Sequence, residues 1–516
     1  MELDVLPIPL TWILLALLPV LFYVYCIRPH QVLKKMGVPH PKPLPAVGNM
    51  LDMMKNGMWN PDAQVERIEK WGTVYGVYLG MNPYVIISDP EMVREVFVKQ
   101  FPKFINRAPE RLNLEVKPQC RMMTALVDDE WKNMRSTVSP AFSGGKLKQM
   151  AEAMNTCANM LVENIGKFAE KEESFDTKDL TAGFTTDTIA RTAFGLEVDS
   201  QRNPEDPFVR YTREPFATVF KDPLFWLFFM FPGIMKPILE RFNYGFLNKN
   251  VAEFFYNVVD QVMGMRKTEG GAQGRVDFMQ LMMNAHKDED DDNKAEGIQV
   301  QGVKKPLSRD DVVANGFLFF IAGYETTATT MAFTLYNLAL HPEVQDRARE
   351  EVCQVMEDRD LVDYEAVHKM PYLDMCISET LRMYAPAASI VRVTNDEVKM
   401  KWLTIPKGFN VMIPILGIHY DPKRWPEPKK FIPERFTKEE KEKRDPFDWL
   451  PFGAGPRNCI GMRLALMELK VGLAKILMKY RIVTGPDTDI PLVIQKKKQF
   501  PTPENGIKLR AELLQD

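Results

Sequence analysis

Phe452-Gly453-Ala454-Gly455-Pro456-Arg457-Asn458-Cys459-Ile460-Gly461 carries the sharpest chemical signal in this chain. A single cysteine ends a loop rich in glycine. A thiolate is a strong, soft ligand for iron and pushes electron density onto it. Glycines let the backbone take positive φ and come close to a flat group. Backbone N–H groups near a sulfur temper its donation and help set a redox potential. Arg457, two residues from Cys459, can pair with a carboxylate, and Phe452 can pack against a ring. Gly461 opens an apolar helix expected over 462–480, whose positive end faces the thiolate. The alternative for Cys459 is a small buried hydrophobe.

Other motifs stand upstream. Glu379-Thr-Leu-Arg382 puts a carboxylate and a guanidinium one helical turn apart. An isolated pair of this kind contributes only about 0.2–0.5 kcal/mol and is common on helix surfaces. Pro433-Glu434-Arg435-Phe436 follows. Ala322-Gly323-Tyr324-Glu325-Thr326-Thr327 lies in the apolar run 315–340. The small Ala322-Gly323 step lets a long helix pass close to a flat face, and a threonine hydroxyl can bond back to a carbonyl and open the helix locally. The alternative is a helix with one charged surface residue. Trp131-Lys-Asn-Met-Arg135 sets an indole N–H and a guanidinium, both donors only, one turn apart.

Together these motifs resemble the cytochrome P-450 superfamily. The cysteine loop matches its haem-binding pattern FGxGxRxCxG, and the resemblance runs from the N-terminus to the tail. Locally it is closest to the vertebrate drug-metabolising family 3 and to thromboxane synthase. That likeness rests on Pro456-Arg-Asn-Cys-Ile-Gly-Met-Arg463, on Phe320-Ile-Ala-Gly-Tyr-Glu-Thr-Thr327 and on the Phe-rich stretch after Asp222-Pro223. The resemblance implies a mainly α fold with a small β region near the N-terminal side. It makes Cys459 the axial ligand of a haem b iron, with Ala322, Gly323, Phe452, Gly453 and Gly461 around the cofactor. Arg107, Trp131, Arg135, Arg392 and Arg457 become donors to the haem propionates, since buried carboxylates need such donors; an exposed arginine is the alternative at 107 and 392. Thr326 becomes the proton-delivery and oxygen-pocket residue, with Glu325 as its acidic neighbour. Glu379, Arg382 and Arg435 join in one buried network that holds the loop and does no chemistry. Such a network stands only if every member is paired.

The implied reaction is monooxygenation: two electrons from NADPH, one oxygen atom into an apolar substrate (a steroid, fatty acid or xenobiotic), one into water. No G-x-G-x-x-G fingerprint follows a strand, so electrons must arrive from outside. The resemblance implies a membrane-bound NADPH–cytochrome reductase and allows cytochrome b5. Lys132, Lys429, Lys430 and the run 438–444 could form a basic docking patch, or be ordinary solvated lysines. An apolar pocket is expected from 108–120, 216–231, 317–326, 387–391 and the neighbourhood of Phe500. The charged residues Glu110, Arg111, Glu115 and Lys117, and Lys496-Lys-Lys498 before Phe500, depart from relatives there, so specificity cannot be copied. Two rivals stand beside this reading. One is a haem-thiolate isomerase of endoperoxides, which needs no acid–Thr pair. The other is a membrane-anchored haem sensor or carrier.

Composition agrees with one large enzyme domain. The chain has 516 residues, 45% hydrophobic and 26% charged, an ordinary globular mix that excludes disordered, collagen-like and many-span membrane classes. Length alone suggests about three domains, yet few boundaries are visible after residue 50 and no repeat of 20–50 residues occurs. A net charge of −3 gives no basic field for nucleic acid. Six cysteines without a CxxC pair exclude a disulfide scaffold and a zinc ribbon.

The N-terminus reads as an anchor over 1–28, followed by a proline-rich linker over 29–48 and the catalytic domain over 49–516. Residues 5–27 carry no charge; as a helix they reach about 34 Å, enough for a hydrocarbon core of about 30 Å. The start is acidic (Glu2, Asp4) and Tyr25-Cys26-Ile27 is a poor cleavage site, against a removed signal peptide. Arg28, Lys34 and Lys35 then place the rest on the cytoplasmic side, at the endoplasmic reticulum by the same resemblance. The alternative is a buried core helix. Pro39, Pro41, Pro43 and Pro45 favour an extended strap.

Strands are expected over 74–79 and 84–88 around a turn at Gly80-Met-Asn-Pro83, and a helix over 91–99 capped by Asp89. Residues 105–128 read as irregular and 129–275 as mostly helical. The final helix ends near 482, and short strands and loops follow from 484. The aromatic stretch 223–238 reads as a roof over a cavity or a surface dipping into lipid, or as plain core. The acidic run 287–292 reads as a solvated loop.

Overall fold

A computed structural model of the protein describes residues 10–56, 60–109, 112–203, 210–211, 222–268, 277–286, 306–495, 498 and 500–514. Glu110, Arg111, the aromatic-pocket residues 216–221, the acidic run 287–292, Lys496 and Lys497 lie outside the described residues. The helices that matter for the site are, in chain order, α1 Leu10–Phe22, α2 Asp128–Val138, α3 Gly144–Ala169, α4 Thr177–Ile189, α5 Pro223–Met230, α6 Arg309–Leu340, α7 Pro371–Met383, α8 Ile415–His419 and α9 Met462–Lys479. The strands are β1 Val74–Leu79, β2 Asn82–Ile87, β3 Phe175–Asp176, β4 Ile390–Val393, β5 Val398–Met400, β6 Leu403–Ile405, β7 Asn410–Ile413, β8 Tyr480–Thr484 and β9 Lys508–Leu513.

α6 crosses the middle of the molecule. It starts six residues before the apolar run does, because Ser308 and Asp311 cap it reciprocally: the Ser308 hydroxyl accepts from the Asp311 N–H, and the Asp311 carboxylate accepts from the Ser308 N–H at 2.9 Å. It is buried on nearly every side, as a helix apolar all round should be. α4 lies against it and spends its threonines on that contact. The hydroxyls of Thr181 and Thr185 donate to the Ala328 and Tyr324 carbonyls at 3.1 and 3.2 Å. The main core gathers buried side chains from α2, α3, α4, α6, α7 and α9. A second apolar cluster underlies the sheet.

The sheet is not confined to the N-terminal side. Its order is β1-β2-β7-β4, with β2 parallel to β7 (Tyr84↔Asn410) and β7 antiparallel to β4. β3, β9 and β8 form a second sheet and β5 pairs with β6. The last helix stops at Lys479 rather than near 482. Tyr480-Arg-Ile-Val-Thr484 is rich in β-branched residues and pairs with β9 instead. Asp89 caps its helix through the Met92 N–H at 3.0 Å, as expected.

At the N-terminus, Arg28 does not end the helical path. α1 continues through further helical turns to Lys35, and Ala16–Lys35 is the one stretch among the described residues long and apolar enough to cross a membrane. Leu18, Phe22 and Tyr25 on it are exposed, as is Trp12 just before it. The linker does not stand free as a strap: Gly76 N–H donates to the Pro39 carbonyl at 2.8 Å, Leu33 N–H to the Tyr78 hydroxyl at 2.9 Å, and Val38 is buried. Prolines lack an N–H but keep the carbonyl, so the segment can still dock on β1.

Candidate active site around Cys459

The cysteine loop is held by its own backbone. Cys459 N–H donates to the Phe452 carbonyl at 2.9 Å, Asn458 N–H to Gly455 at 3.1 Å and Gly453 N–H to Leu450 at 3.0 Å. Gly453 and Gly455 take φ of +68° and +71°, the left-handed region that glycine enters freely. Gly455 is also pressed against another strand of chain, since a Cβ there would overlap the Phe97 carbonyl. α9 begins just after Gly461, and the N–H groups of Gly461 and Met462 point at the Cys459 sulfur. Burial pushes the thiol up; the Gly461 N–H, Arg135, Arg107 and the Met462 N–H pull the other way. The side chain is nevertheless accessible. A group both desolvated and open faces an internal void, and the same holds on α6. Ala322 is exposed and Thr326 half-buried on a helix otherwise packed in core.

The arginines supply the second half of the site. Arg457 lies under Trp131, its guanidinium 4.8 Å from the ring centre, and donates to the Ile105 carbonyl and, at 2.8 Å, to the Leu126 carbonyl. Arg392 lies over the Phe97 ring at 5.1 Å and donates to the Val391 carbonyl at 2.9 Å. Arg135 forks onto Asn458, reaching its carbonyl and its side-chain oxygen at 3.0 Å each. Burial, and then Arg107, Arg392 and Arg135, push Arg457 down to about 8. Burial and Arg107 push Arg392 down to about 9. The groups that oppose the cluster's charge are Cys459, when ionised, and Asp128. Among the described residues, no carboxylate forms a salt bridge with any of the four, and the Nε atoms of Arg392 and Arg457 are buried without a partner. Four crowded guanidinium groups beside one thiol demand an anionic guest. A flat group bearing two carboxylates, with a metal that takes a thiolate, fits that donor set.

The sequence-predicted residues on α6 divide. The Thr326 hydroxyl donates back to the Ala322 carbonyl at 2.7 Å, as anticipated, but the helix stays unbroken there. Gly323 does not face the void with Ala322. A Cβ at 323 would meet the Ile189 side chain at 3.1 Å, so its smallness admits α4. The Glu325 carboxylate accepts from Lys178 Nζ at 2.6 Å, at the start of α4, and so turns away from the Thr326 hydroxyl in this conformation. Lys178 was not foreseen, because it lies 147 residues away in sequence.

Glu379, Arg382 and Arg435 meet as expected. Arg382 forks onto Glu379 at 2.6 and 2.8 Å, and Arg435 Nε reaches the same carboxylate at 3.2 Å. The pair 379–382 is fully buried. The network's remaining bonds go to the backbone: Ile432 N–H to Glu379, and Arg382 and Arg435 to the carbonyls of His419, Lys430 and Glu427.

A cavity of about 390 Å³ joins the loop 108–120 to the aromatic stretch: Ala108, Leu112 and Leu114 face Phe225, Phe228, Phe229 and Phe246, with Val391 alongside. The aromatics therefore roof a cavity on one side, while Leu227, Ile234, Ile238 and Phe242 are exposed on the other. The basic residues expected to form a docking patch are mostly neutralised. Lys132 pairs with Asp129, Lys429 with Asp62, Lys430 with Glu427 and Lys443 with Glu440, while Arg444 stacks on Trp425 at 3.7 Å.

The sequence profile of the family described as Cytochrome P450 matches residues 38–511. Among curated relatives, mouse cytochrome P450 3A41 is 39% identical over 504 residues, 97% of this chain and 96% of its own length. Mouse cytochrome P450 3A11 and golden-hamster cytochrome P450 3A31 are each 39% identical over 501 residues, covering 97% of this chain and 96% of theirs.

Proposed function

Since this chain belongs to the cytochrome P450 family and is a haem-thiolate monooxygenase, we propose that it oxygenates amphipathic and apolar molecules such as steroids, fatty acids or xenobiotics. It would do so at the endoplasmic reticulum membrane, catalytic domain on the cytoplasmic side, with electrons from an NADPH–cytochrome reductase and cytochrome b5 as a possible second donor. The observation that carries the reading is the convergence of Arg107, Arg135, Arg392 and Arg457 beside the Cys459 thiol, where no carboxylate among the described residues forms a salt bridge with any of them. The aromatic cavity over that cluster supports an apolar substrate, and the exposed apolar face of Ala16–Lys35 supports the anchor.

Haem b, when bound, supplies the chemistry that divides dioxygen between product and water. The chain's own residues do the rest. Cys459 gives the thiolate, and the Gly461 and Met462 N–H groups hold its charge. The four arginines and Trp131 would hold the propionates. Gly453 and Gly455 keep the loop close, and Phe452 packs beside it. Thr326 holds a proton at its hydroxyl next to the void. Glu325, released from Lys178, can pass a proton inward from the α4 side. Glu379, Arg382 and Arg435 keep the loop's foundation rigid.

Reconstitution tests this. The purified protein with reductase, NADPH and a steroid should consume NADPH and dioxygen and yield a monooxygenated product. Turnover of an endoperoxide without NADPH, and no oxygenation with it, would give the isomerase reading instead. Failure to reduce dioxygen with any reductase would give the sensor. Lys429→Glu with Lys430→Glu tests the basic docking patch: an unchanged salt dependence of the reduction rate would remove it.

A further inference from the structure

His419 ends α8 with no exposed surface. Both ring nitrogens are engaged. Nδ1 lies 3.1 Å from the Arg382 carbonyl, and Nε2 accepts from the Leu450 N–H at 2.9 Å. A carbonyl can only accept and an amide N–H can only donate, so one neutral tautomer, protonated at Nδ1, satisfies both. Arg382 answers by donating from Nη1 to the His419 carbonyl at 2.9 Å. The two residues therefore hold each other in both directions.

What this contact joins is decisive. Among the described residues, the backbone partners of the Glu379–Arg382–Arg435 network are at 419, 427, 430 and 432. None lies in the cysteine loop, so the network cannot hold that loop directly. Leu450 stands where the loop departs, and its carbonyl accepts the Gly453 N–H at 3.0 Å. The imidazole is thus the bridge between the network and the loop's first turn. A second link, Trp449 Nε1 to the Ser378 carbonyl at 3.2 Å, fastens a side chain and leaves the loop backbone free.

We propose that His419 is a positioning residue: through a single imidazole tautomer it fixes the Leu450 amide to Arg382, and so transmits the rigidity of the buried network to the loop that presents Cys459. The proposal rests on the reading of Cys459 as an iron ligand. Nothing in the motifs pointed to it. His419 directly follows the apolar stretch Ile413-Pro-Ile-Leu-Gly-Ile418, and both partners lie more than thirty residues away in sequence.

The test uses three substitutions in the purified full-length protein. In His419→Gln the carboxamide oxygen reaches the place of Nε2 and can still accept from Leu450. In His419→Asn the carboxamide reaches only the place of Nδ1. His419→Leu fills the space without either bond. Two readouts are taken on each: amide hydrogen exchange of a peptide spanning Leu450, and the fraction of reduced, carbon-monoxide-bound protein with the thiolate-type absorption band. His419→Asn should speed exchange at Leu450 by about tenfold or more, the loss of one buried hydrogen bond, and should shed part of the thiolate band. His419→Gln should keep both near wild type. Equal behaviour of Gln and Asn, or unchanged exchange in both, overturns the proposal; this comparison stands even if His419→Leu does not fold. Expected exchange differences in a protein whose wild type lacks the thiolate band would uphold the clasp and refute the reading of Cys459.

Discussion

Arg392→Leu should change protein stability in opposite directions with and without haem. Arg392 is buried, its Nε has no partner, and burial with Arg107 holds it at about 9, well below the ordinary arginine value. A guanidinium so displaced carries on the order of 5 kcal/mol of unfavourable energy at neutral pH. Relaxation and water entry lower the effective penalty for a buried ion, so about 2 kcal/mol is the working figure. A neutral leucine of similar bulk removes that penalty from the haem-free protein. It also relieves Arg457, on which Arg392 acts directly. In the loaded protein the same arginine answers a carboxylate, and its loss leaves that anion short of a donor, a cost of about 2–4 kcal/mol. The assay is urea denaturation of wild type and variant, each haem-stripped and haem-loaded, together with haem titration by tryptophan quenching. The expected result is a haem-free variant about 2 kcal/mol more stable than wild type, with haem affinity at least tenfold weaker. A variant destabilised equally in both states would refute the claim that the arginine cluster exists to hold an anion.

Other outcomes follow from the same geometry. Gly455→Ala should cost about 3 kcal/mol or more, from positive φ and the clash with the Phe97 carbonyl, read as a fall in melting temperature; Gly461→Ala, at φ −84° with room around it, should cost far less. Lys178→Met strands the Glu325 carboxylate and should destabilise by about 1–3 kcal/mol. Combined with Glu325→Gln, most of that loss should be recovered, and strictly additive effects in the double-mutant cycle would show that the pair does not couple. His419 is held at about 3 by burial, then by Arg382 and Arg424, whose carboxylate partners nearby are Glu379, Asp421 and Asp448. Below the ordinary histidine value of 6.5 the unfolded chain takes up a proton that the folded one refuses. Stability therefore falls as pH drops from about 6.5 toward 3, by up to about 1.4 kcal/mol per pH unit. His419→Gln should remove that part of the slope, measured by denaturation between pH 7 and 5.

Local chemistry was legible and tertiary pairing was not. The cysteine loop, the 379–382 pair and the hairpin of β1 and β2 are each written within a few consecutive residues, and the structure forms all three. Arg435 came through resemblance, since nothing in its own neighbourhood names Glu379 as its partner. Gly455 reads as loop flexibility, while the reason it must be glycine is the backbone of Phe97, some 350 residues earlier. Glu325 reads as a neighbour of Thr326, yet side chains one residue apart on a helix point in different directions, and Lys178 takes the carboxylate. Gly323 and Ala322 separate in the same way. The uncharged N-terminal run marks where hydrocarbon can lie, but charge does not break a helix, so the helical path outlasts it to Lys35. The parallel contact of β2 with β7 joins segments more than 300 residues apart, which periodicity cannot announce.

The most direct measurement is the absorption spectrum of the dithionite-reduced protein with and without carbon monoxide, for wild type and Cys459→Ser. A strongly red-shifted Soret band in wild type, lost in the variant, is the predicted result. A Soret band without that shift in well-folded wild-type protein, or the same shift in Cys459→Ser, would contradict the assignment of Cys459 as the thiolate that holds haem.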